Sequence, residues 1–478
     1  MDMRLNNSLQ GDQVSIKRWV RPWLNRLVSS DGPAYMLIAD LIAEDIESGR
    51  LKAREKLPTL RILAELLELD YTTVARAYGA ARKRGLVESV PGLGTFVRGS
   101  STFLPPRASG TAEMTMNLPP EPDEPLLLER MHASSSRLLA QTNLYDLLRY
   151  QNIGGLQQDK DAALIWLRQV LPDCDVKQIL VTPGIHSALA ALICQLVPPG
   201  ESICVESLTY PGIKALAAHM GIKLHALTVD KEGPSAIEFE DACKTIRPKA
   251  LYCTPTMLNP TTTSISLNRR EALADIALRY SIPIIEDDAY GMLPPSRHPT
   301  IASLAPDLTY YITGLSKFLG AGLRTAYVYA PNTSQLQRTA GTLRAMTVMG
   351  STVTHAIATQ WITDGTAKEM LEAVRRETRV RQQLVTRILD GFSFESQPEC
   401  FHVWLQLPSG WSSTHFASEL RSKGIGAVAS AAFCTDLKAP NAVRLSLGGS
   451  QTREMFEASL KKIVDILKHP LHPEASAI

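Results

Sequence analysis

The sequence has few cysteines for its length and no long hydrophobic run. Its seven cysteines are scattered through 478 residues, and none of them forms a C-x-x-C motif. This spacing argues against a disulfide framework and against a zinc site, so no metal ligand is predicted. No apolar stretch reaches the ~18 residues that a transmembrane helix needs, and no signal peptide opens the chain. We therefore expect a protein of the reducing cytoplasm that has no membrane partner.

An excess of charge of either sign is also lacking. The 50 Lys and Arg residues nearly balance the 48 Asp and Glu residues, and the formal net charge is +2. With 45% hydrophobic and 21% charged residues, the composition is that of a globular protein. A chain of this length exceeds one ordinary domain, and it contains no internal repeat. We expect two or three domains with ample material for a core.

The first hundred residues contain a short extension and then a pattern of helices. Residues 1–30 are predicted to be an N-terminal extension, in which the tryptophans of Ile16–Leu24 would pack on a neighbouring domain. Residues 31–98 read as three helices and a hairpin, which together are typical of a winged helix-turn-helix. The predicted helices begin at Ala34, at Leu57-Pro58-Thr59 and at Thr72, and the predicted strands are Leu86–Ser89 and Gly94–Val97.

The third predicted helix is basic. It runs from Thr72 to Lys83, and no acidic residue occurs from Tyr71 to Arg84. A basic helix of this length fits the major groove of DNA, with flanking positive charges on phosphates. The alternative is a small helical domain with a solvated basic face.

Four segments of this region resemble the GntR family of winged-helix repressors: Leu57–Ala64, Thr72–Tyr78, Gly85–Val87 and Gly92–Val97. The resemblance implies binding to double-stranded operator DNA through Arg61, Tyr71, Thr72, Thr73, Arg76, Gly92 and Gly94. The chain has Asp70-Tyr71 where the family usually has Ser-Arg, and Val90 where it often has Arg. Both positions commonly touch the DNA backbone, so these departures would change the affinity or the target sequence.

The remainder of the chain predicts a linker and an α/β domain. Residues 99–118 are rich in Gly, Ser, Thr and Pro and read as the linker. Residues 119–478 would form a large subdomain at about 150–330 and a smaller α+β subdomain at about 331–478. Seven short apolar runs separated by helical patterns indicate a mainly parallel sheet. The runs are Ile179–Val181, Ile203–Val205, Leu224–Val229, Ala250–Cys253, Ile282–Ile285, Leu308–Ile312 and Thr325–Tyr329.

Polar residues follow several of these runs, at the strand ends where ligands of such sheets bind. Gly184 with Ile185 and His186 opens a helix, whose free N–H groups suit a phosphate. Tyr210 could stack on a flat ring, Asn259 precedes a proline with its amide free to donate, and Glu286-Asp287-Asp288 places three acids at one strand end. Each feature also has a structural explanation: an ordinary turn, a core tyrosine, a loop dipeptide and helix capping.

A lysine and two arginines complete the set. Lys317 follows the sixth run behind the small residues Gly314 and Ser316, where a carbonyl compound could reach it. Its alternative is a surface lysine. Arg324 is near enough in sequence to bind a phosphate held near Lys317. Arg444 would pair with a ligand carboxylate or form an interdomain salt bridge.

Together these groups specify an aldehyde, a basic ring nitrogen, a phenolic oxygen, a flat face and a phosphate, all of which belong to pyridoxal 5′-phosphate. Residues 119–478 resemble a fold-type-I aminotransferase. The resemblance implies that Lys317 forms the internal aldimine and that Asp287 pairs with the pyridinium nitrogen. Asn259 and Tyr290 would bind the ring 3-oxygen, Tyr210 would stack, and Arg444 would bind the ligand's α-carboxylate. The phosphate would be held by Ile185, His186, Ser316 and Arg324.

The chain departs from that family at the phosphate. Gly314 stands where a hydroxyl residue is usual, and Ile185-His186 where small polar residues are usual. Gly154–Lys160 replaces the usual Gly-x-x-x-Leu-Arg. We therefore expect a weaker phosphate site or one that uses other donors.

The two halves in one chain resemble the MocR subfamily of GntR regulators. The resemblance implies a PLP-dependent transcription regulator that senses an amine or amino acid through the aldimine at Lys317, and a head-to-tail homodimer. Two alternatives remain open: a working aminotransferase with an accessory DNA-binding module, and a sensor of PLP itself.

Overall fold

The chain folds into two compact units, Met1–Ser109 and Gly110–Ile478, called here the N-terminal and C-terminal units. The structure is a computed structural model. It describes residues 22–24, 26–27, 33–48, 50–51, 55–84, 86–90, 94–97, 114–435 and 439–469.

The N-terminal unit has the three helices and the hairpin that the sequence predicts. Its elements are α1 (Ala34–Glu47), α2 (Leu60–Leu67), α3 (Tyr71–Lys83), β1 (Val87–Val90) and β2 (Gly94–Val97). The predicted opening of α2 at Leu57-Pro58-Thr59 contains the observed N-cap: the helix itself begins at Leu60, and the Thr59 side chain caps it by accepting from the Ile62 amide at 3.4 Å. The Leu57 amide instead donates to Thr95 O at 2.8 Å and so extends the pairing of the hairpin.

The core of this unit includes a residue that the sequence reading assigned to the extension. Trp23 is 1% exposed and packs in the same cluster as Val74, Ala77 and Tyr78. Its indole N–H donates to Asp45 Oδ2 at 2.9 Å, so the buried polar atom is satisfied. Trp23 thus packs on the winged helix-turn-helix region that follows the predicted extension, as the sequence led us to expect. Trp19 lies outside the described residues.

The C-terminal unit is built on a seven-stranded sheet in the order β3-β11-β10-β9-β8-β4-β5. Only β11 runs antiparallel to its neighbours, so the predicted mainly parallel sheet is confirmed. The strands are β3 (Ile179–Thr182), β4 (Ser202–Glu206), β5 (Lys223–Leu227), β8 (Leu251–Cys253), β9 (Ile284–Asp287), β10 (Thr309–Gly314) and β11 (Ala326–Tyr329). All seven predicted runs correspond to strands of this sheet.

Helices cover the sheet, and a second sheet follows it in the chain. The antiparallel second sheet has the order β12-β13-β15-β14, made of Phe394–Glu395, His402–Gln406, Ala442–Ser446 and Val428–Ala429, and β6 (Val229–Asp230) pairs with β7 (Gly233–Pro234). The helices α4 to α16 are Pro125–Gln141, Leu144–Leu148, Gln157–Leu167, Ile185–Leu196, Pro211–Met220, Ala236–Thr245, Leu267–Tyr280, Ile301–Leu304, Thr333–Thr347, Thr352–Thr363, Thr366–Ile388, Ser413–Ser422 and Arg453–Lys468.

Burial of the central strands explains their continuous apolar runs. Every residue of β3, β8, β9 and β10 is buried, because helices pack on both faces of the sheet. The charged side chains of these four strands are Glu286 and Asp287, the last two residues of β9, where the chain leaves the sheet. Among the helices of the described ranges, none combines the length and the apolar character needed to cross a bilayer.

Candidate functional site

A cavity of about 500 Å³ lies at the ends of β8, β9 and β10. All ten residues that the sequence reading assigned to the cofactor and its ligand line this cavity: Ile185, His186, Tyr210, Asn259, Asp287, Tyr290, Ser316, Lys317, Arg324 and Arg444. The fold therefore brings the predicted set together, although its members are spread over 260 positions of the sequence.

Lys317 ends a short 3-10 turn, Leu315–Lys317, that follows β10 directly. Its ammonium donates to the backbone oxygen of Asn117 at 2.7 Å and lies 5.5 Å from the centre of the Tyr290 ring. Burial lowers the pKa of Lys317 to about 8, with a further contribution from the Arg444 charge and an opposing one from Asp287. About a tenth of this lysine is then a neutral amine at pH 7, which favours nucleophilic chemistry over a purely structural role.

The three acids after β9 have different partners. Glu286 accepts from the amides of Ile301 and Ala302, both at 2.8 Å, and so caps α11. Asp288 accepts from the Tyr311 hydroxyl at 2.9 Å. Helix capping thus explains one of the three acids, and a tyrosine donates to one oxygen of another, whose Oδ1 has no partner within the described residues.

Asp287 is the acid of this group that lines the cavity. Its Oδ2 accepts from the Tyr252 hydroxyl at 3.0 Å, whereas its Oδ1 has no hydrogen-bond partner within the described residues. Burial raises the pKa of Asp287 to about 6, and the Tyr252 hydrogen bond opposes this rise. A buried carboxylate oxygen without a donor is costly, so this atom is suited to a cationic N–H from a ligand.

A second end of the cavity is suited to an anion. Helix α7 (Ile185–Leu196) begins after Gly184 without a side-chain cap, so its first N–H groups are available to a ligand. The Arg324 guanidinium lies against Gly184, where a Cβ would come within 2.8 Å of Nη2, and glycine also tolerates the φ of 98° found there. Burial and the Arg324 charge lower the pKa of His186, which favours its neutral form at this end.

The departure at Gly314 has a packing explanation. A Cβ at Gly314 would come within 2.8 Å of Ile185 Cγ1 and 3.2 Å of the Ala326 Cβ. The isoleucine side chain therefore occupies the space that a side chain at position 314 would need. The two departures at the expected phosphate site are physically linked.

Arg444 lies at the other end, on β15, and is 5% exposed. Its Nη1 donates to Asn259 Oδ1 at 2.9 Å, and its Nη2 donates to the backbone oxygen of Thr115. Both acceptors are uncharged, an amide oxygen and a backbone carbonyl oxygen. Within the described residues Arg444 therefore does not form the interdomain salt bridge that the sequence left open. Burial lowers the pKa of Arg444 to about 10.

The sequence reading missed the residues that contribute from the predicted linker. Residues 114–118 pack in the C-terminal unit, with Met114 fully buried and its oxygen accepting from the Ser446 amide at 2.9 Å. The Asn117 side chain donates to the Tyr290 hydroxyl at 2.8 Å and lies 3.1 Å from His402 Nδ1. A short extended segment between prolines carries no periodicity, so no signal in the sequence distinguished it from the linker.

The residues predicted to contact DNA lie at the surface of the N-terminal unit or at its edge. Arg61 and Thr72 are exposed, Thr73 is half-buried, and Tyr71 is 51% exposed at the start of α3. The guanidinium of the exposed Arg76 lies 4.2 Å from the centre of the Tyr35 ring. Gly94 begins β2, and Gly92 lies outside the described residues.

Asp70, which replaces the usual serine, is the N-cap of α3. It accepts from the Thr73 amide at 2.9 Å and from the hydroxyls of Thr72 and Thr73. These hydrogen bonds hold the pKa of Asp70 well below its usual range. A negative charge therefore sits at the end of the helix predicted to face DNA.

Comparison with known families places these two units in established classes. Residues 34–97 match the family described as bacterial regulatory proteins, gntR family, and residues 127–463 match aminotransferase class I and II. The combination defines a DNA-binding regulator joined to an aminotransferase-like domain, which confirms the predicted fold and the resemblance to the MocR regulators. The chain belongs to the aminotransferase class I and II family.

Individual relatives have the same two-part organisation or the fold of the larger part. The chain is 29% identical over 453 residues to the HTH-type transcriptional regulator YdeF of Bacillus subtilis, covering 93% of this chain and 97% of that protein. It is 27% identical to the vitamin B6 salvage pathway transcriptional repressor PtsJ of Salmonella typhimurium, covering 81% and 88%. The α-aminoadipate aminotransferase LysN of Thermus thermophilus, solved with N-(5′-phosphopyridoxyl)-L-leucine, superposes with a TM-score of 0.68 at 23% identity over 75% of this chain and 92% of LysN.

The cofactor of this family is pyridoxal phosphate, as the sequence reading predicted, and the cavity fits it. The unpaired Oδ1 of Asp287 suits a protonated ring nitrogen. The uncapped end of α7, with Arg324 beside it, suits the phosphate. Lys317, which lines the same cavity, supplies an amine for the aldehyde.

Proposed function

We propose that this protein is a PLP-dependent transcription regulator whose aminotransferase-like domain senses an amine, an amino acid or PLP through Lys317. One observation carries the proposal. A lysine whose pKa is lowered to about 8 shares a cavity with Arg324, Arg444 and Asp287, whose Oδ1 has no partner within the described residues, in a chain whose residues 34–97 match the gntR family.

Each residue has a proposed task in the cavity. When bound, the cofactor supplies an aldehyde on which amines exchange, and Lys317 is the amine that holds it. Asp287 keeps the ring nitrogen protonated, Asn259 and Tyr290 bind the 3-oxygen, and Tyr210 stacks on the ring. Arg444 binds a carboxylate of the effector. The phosphate is held by the start of α7 at Ile185 and His186, with Ser316 and Arg324.

We also propose that the protein is a head-to-tail homodimer that works in the cytoplasm on operator DNA. Large apolar side chains are concentrated at the surface in residues 126–150, including Leu126, Leu144, Tyr145, Leu148 and Tyr150. An apolar surface of this kind is unfavourable in a monomer, and a second copy would cover it. A dimer would also present two DNA-binding units to two half-sites. Leu148→Glu should shift the sedimentation coefficient to that of a monomer, and an unchanged dimer would reject this surface.

The absorption spectrum of the purified protein tests the cofactor assignment. A visible band that appears with PLP and is absent in Lys317→Ala supports it. DNA affinity is then measured for the apo protein, for the protein with PLP, and for PLP with candidate amines. A response to PLP alone favours a PLP sensor, and a further response to an amine favours an effector sensor. Arg61→Ala and Arg76→Ala should weaken DNA binding, and unchanged gel shifts would remove both as contacts.

The second candidate is a working aminotransferase with an accessory DNA-binding module. The lowered pKa of Lys317 favours it, because a lysine that is partly neutral can also transfer protons during turnover. Sustained conversion of an amino acid and an oxo acid, lost in Lys317→Ala and independent of DNA, would support this reading. Binding of PLP without turnover would favour the regulator.

A further inference from the structure

The segment Met114–Leu118, called here the strap, accepts hydrogen bonds from two of the three cationic side chains that are proposed to bind the cofactor or the effector. Lys317 Nζ donates to the oxygen of Asn117 at 2.7 Å, and Arg444 Nη2 donates to the oxygen of Thr115. Lys317 comes from the large sheet and Arg444 from the small one. Two backbone carbonyl groups of the chain thus accept from the same side chains that, in the proposed function, bind an aldehyde and a carboxylate.

Further contacts hold the strap in the same position. The oxygen of Met114 accepts from the Ser446 amide at 2.9 Å, and that of Pro119 accepts from the Gly449 amide at 2.9 Å. The Asn117 side chain donates to the Tyr290 hydroxyl at 2.8 Å. The strap therefore lies along β15 and the turn after it and forms part of the cavity wall. Its hydrogen bonds with Lys317 and Arg444 belong to one series of contacts that runs from Met114 to Pro119.

The strap is also the first described stretch after the last strand of the DNA-binding unit. Residues 98–113 connect Val97 to Met114. Release of five strap residues would lengthen that connection by up to about 17 Å. A change in the cavity would then change the length of chain that connects the two units.

We infer that the strap is an internal competitor for the cofactor and effector, and that its release couples the occupied cavity to the DNA-binding unit. The inference rests on the proposed function, and concerns how that site regulates the protein. Lys317 loses N–H donors when its nitrogen bonds to an aldehyde carbon, so that bond competes with its hydrogen bond to the strap. A carboxylate that approaches Arg444 Nη2 likewise competes with the Thr115 oxygen, whereas Arg444 Nε has no partner within the described residues and stays available to it. By linkage, whatever frees the strap must strengthen ligand binding, and a ligand must loosen the strap.

Two glycines that pack against the strap allow it to be displaced without altering a proposed binding residue. At Gly448 a Cβ would come within 1.6 Å of the Leu118 oxygen, and at Gly426 within 2.8 Å of Thr115 Cγ2 and 3.1 Å of the Met114 nitrogen. Gly448→Ala and Gly426→Ala should therefore each push the strap away. Gly341→Ala is the matched control, because Gly341 lies in α12 with no atom within 4 Å of its Cβ position.

Hydrogen-exchange mass spectrometry and PLP titration of the full-length protein test the inference. In wild type, PLP should raise amide exchange in the peptide 114–121 and at Ser446 and Gly449, whose amides donate to the strap region. Gly448→Ala and Gly426→Ala should raise it without PLP. Both should bind PLP about tenfold more tightly, since a charge-assisted hydrogen bond no longer opposes binding. Gly341→Ala should match wild type in both measurements.

A test of the anchors does not require PLP. Lys317→Ala and Arg444→Ala should each raise exchange in the 114–121 peptide of the apo protein, because each removes one donor to the strap. If neither does, the strap inference is wrong while the proposed function can stand. The inference is equally overturned if PLP forms its visible band and leaves strap exchange unchanged, or if the glycine variants free the strap without tightening PLP. A wild type that forms no band with PLP contradicts the proposed function itself.

Discussion

The two sides of the cavity differ in how many of the atoms that would meet a ligand already have partners in the protein, although Arg444 Nε and Asn117 Oδ1 on the strap side also lack a partner within the described residues. On the sheet side, Asp287 Oδ1 has no partner within the described residues, and α7 begins without a side-chain cap. On the strap side, both terminal nitrogens of Arg444 donate to the chain, to Asn259 and to Thr115. One side is prepared for a ligand, and the other is occupied by a substitute for one.

This difference has an energetic consequence. A ligand group that binds on the sheet side forms hydrogen bonds with buried atoms that have no partner in the free protein. The complex therefore gains hydrogen bonds without breaking existing ones. A group that binds on the strap side replaces existing hydrogen bonds, and the net gain is smaller. We therefore expect affinity to come mainly from the sheet side and the conformational response to come from the strap side.

Removal of Lys317 should have the largest effect on the sheet side. Lys317→Ala removes the only bond to the cofactor that is covalent in the proposal, so PLP affinity should fall by about a thousandfold or more. The measurement is the visible absorption band on titration with PLP. Lys177→Ala, at an exposed position, is the control. Retention of the band in Lys317→Ala would contradict the assignment.

Substitution of Asp287 should follow in size. Asp287→Asn keeps a side chain that can accept from Tyr252 but removes the charge that faces the cavity, and PLP affinity should fall by about a hundredfold. Asp307→Asn, at an exposed position, should leave affinity unchanged. Equal affinities in wild type and Asp287→Asn would mean that the ring nitrogen does not meet this carboxylate.

The pH dependence of stability gives Asp287→Asn a second measurement, one that needs no cofactor. Burial raises the folded-state pKa of Asp287 to about 6, above its usual value, so the folded apo protein binds this proton more tightly than the unfolded chain does. Asp287 therefore stabilises the fold as the pH falls from about 6 to about 4, by up to about 3 kcal/mol. Urea unfolding at several pH values should show a shallower rise in Asp287→Asn than in wild type.

The rate of PLP attachment should depend on pH through Lys317. The neutral amine reacts, so the rate should rise about tenfold per pH unit below a midpoint near 8 and level off above it. Arg444 is one of the two causes that lower this pKa, so Arg444→Met should move the midpoint to higher pH. Stopped-flow absorbance measures both profiles. A midpoint that stays in place in Arg444→Met would show that the two sides of the cavity are not electrostatically coupled.

The contact between Ile185 and Gly314 should make a polar side chain at position 314 destabilising. Gly314→Ser should lower the free energy of unfolding by about 1–3 kcal/mol, because its Cβ would overlap Ile185 Cγ1. Ile185→Ala should recover part of that loss in the double variant, and urea unfolding of the four proteins gives the coupling energy. Additive losses would show that the two departures from the family pattern are independent.

Much of the sheet side could be predicted from the sequence, for a physical reason. Parallel strands that are buried on both faces must be apolar, so polar residues such as Asp287 and Lys317 are visible at the strand ends. The doubly wound sheet then brings those ends together whatever their separation in the chain. The sequence suggested helix capping as a use for the three acids but did not show that Glu286 is the acid that caps. Hydrogen-bond partners are set by the tertiary structure.

The strap side could not be predicted in the same way. Thr115 and Asn117 contribute backbone oxygens, which every residue has, so side-chain identity gives no signal. Their segment is extended and lies between proline-rich stretches, and composition assigned it to the linker.

The contrast between groups that already have a partner and groups that lack one also applies to the N-terminal unit. The change in DNA affinity that it predicts is the smallest of the expected effects. At the N-terminus of α3 the carboxylate of Asp70 accepts from the Thr73 amide, whereas α7 begins without a side-chain cap. Asp70→Asn keeps a good cap and removes the charge, so affinity for duplex DNA at low salt should rise about threefold. Asp70→Ala removes the cap as well and should cost about 1 kcal/mol of stability. Fluorescence anisotropy and thermal unfolding separate the two effects. If Asp70→Asn binds duplex DNA no better than wild type, the N-terminus of α3 does not approach a phosphate, and the contrast between the two helices does not reach the DNA-binding surface.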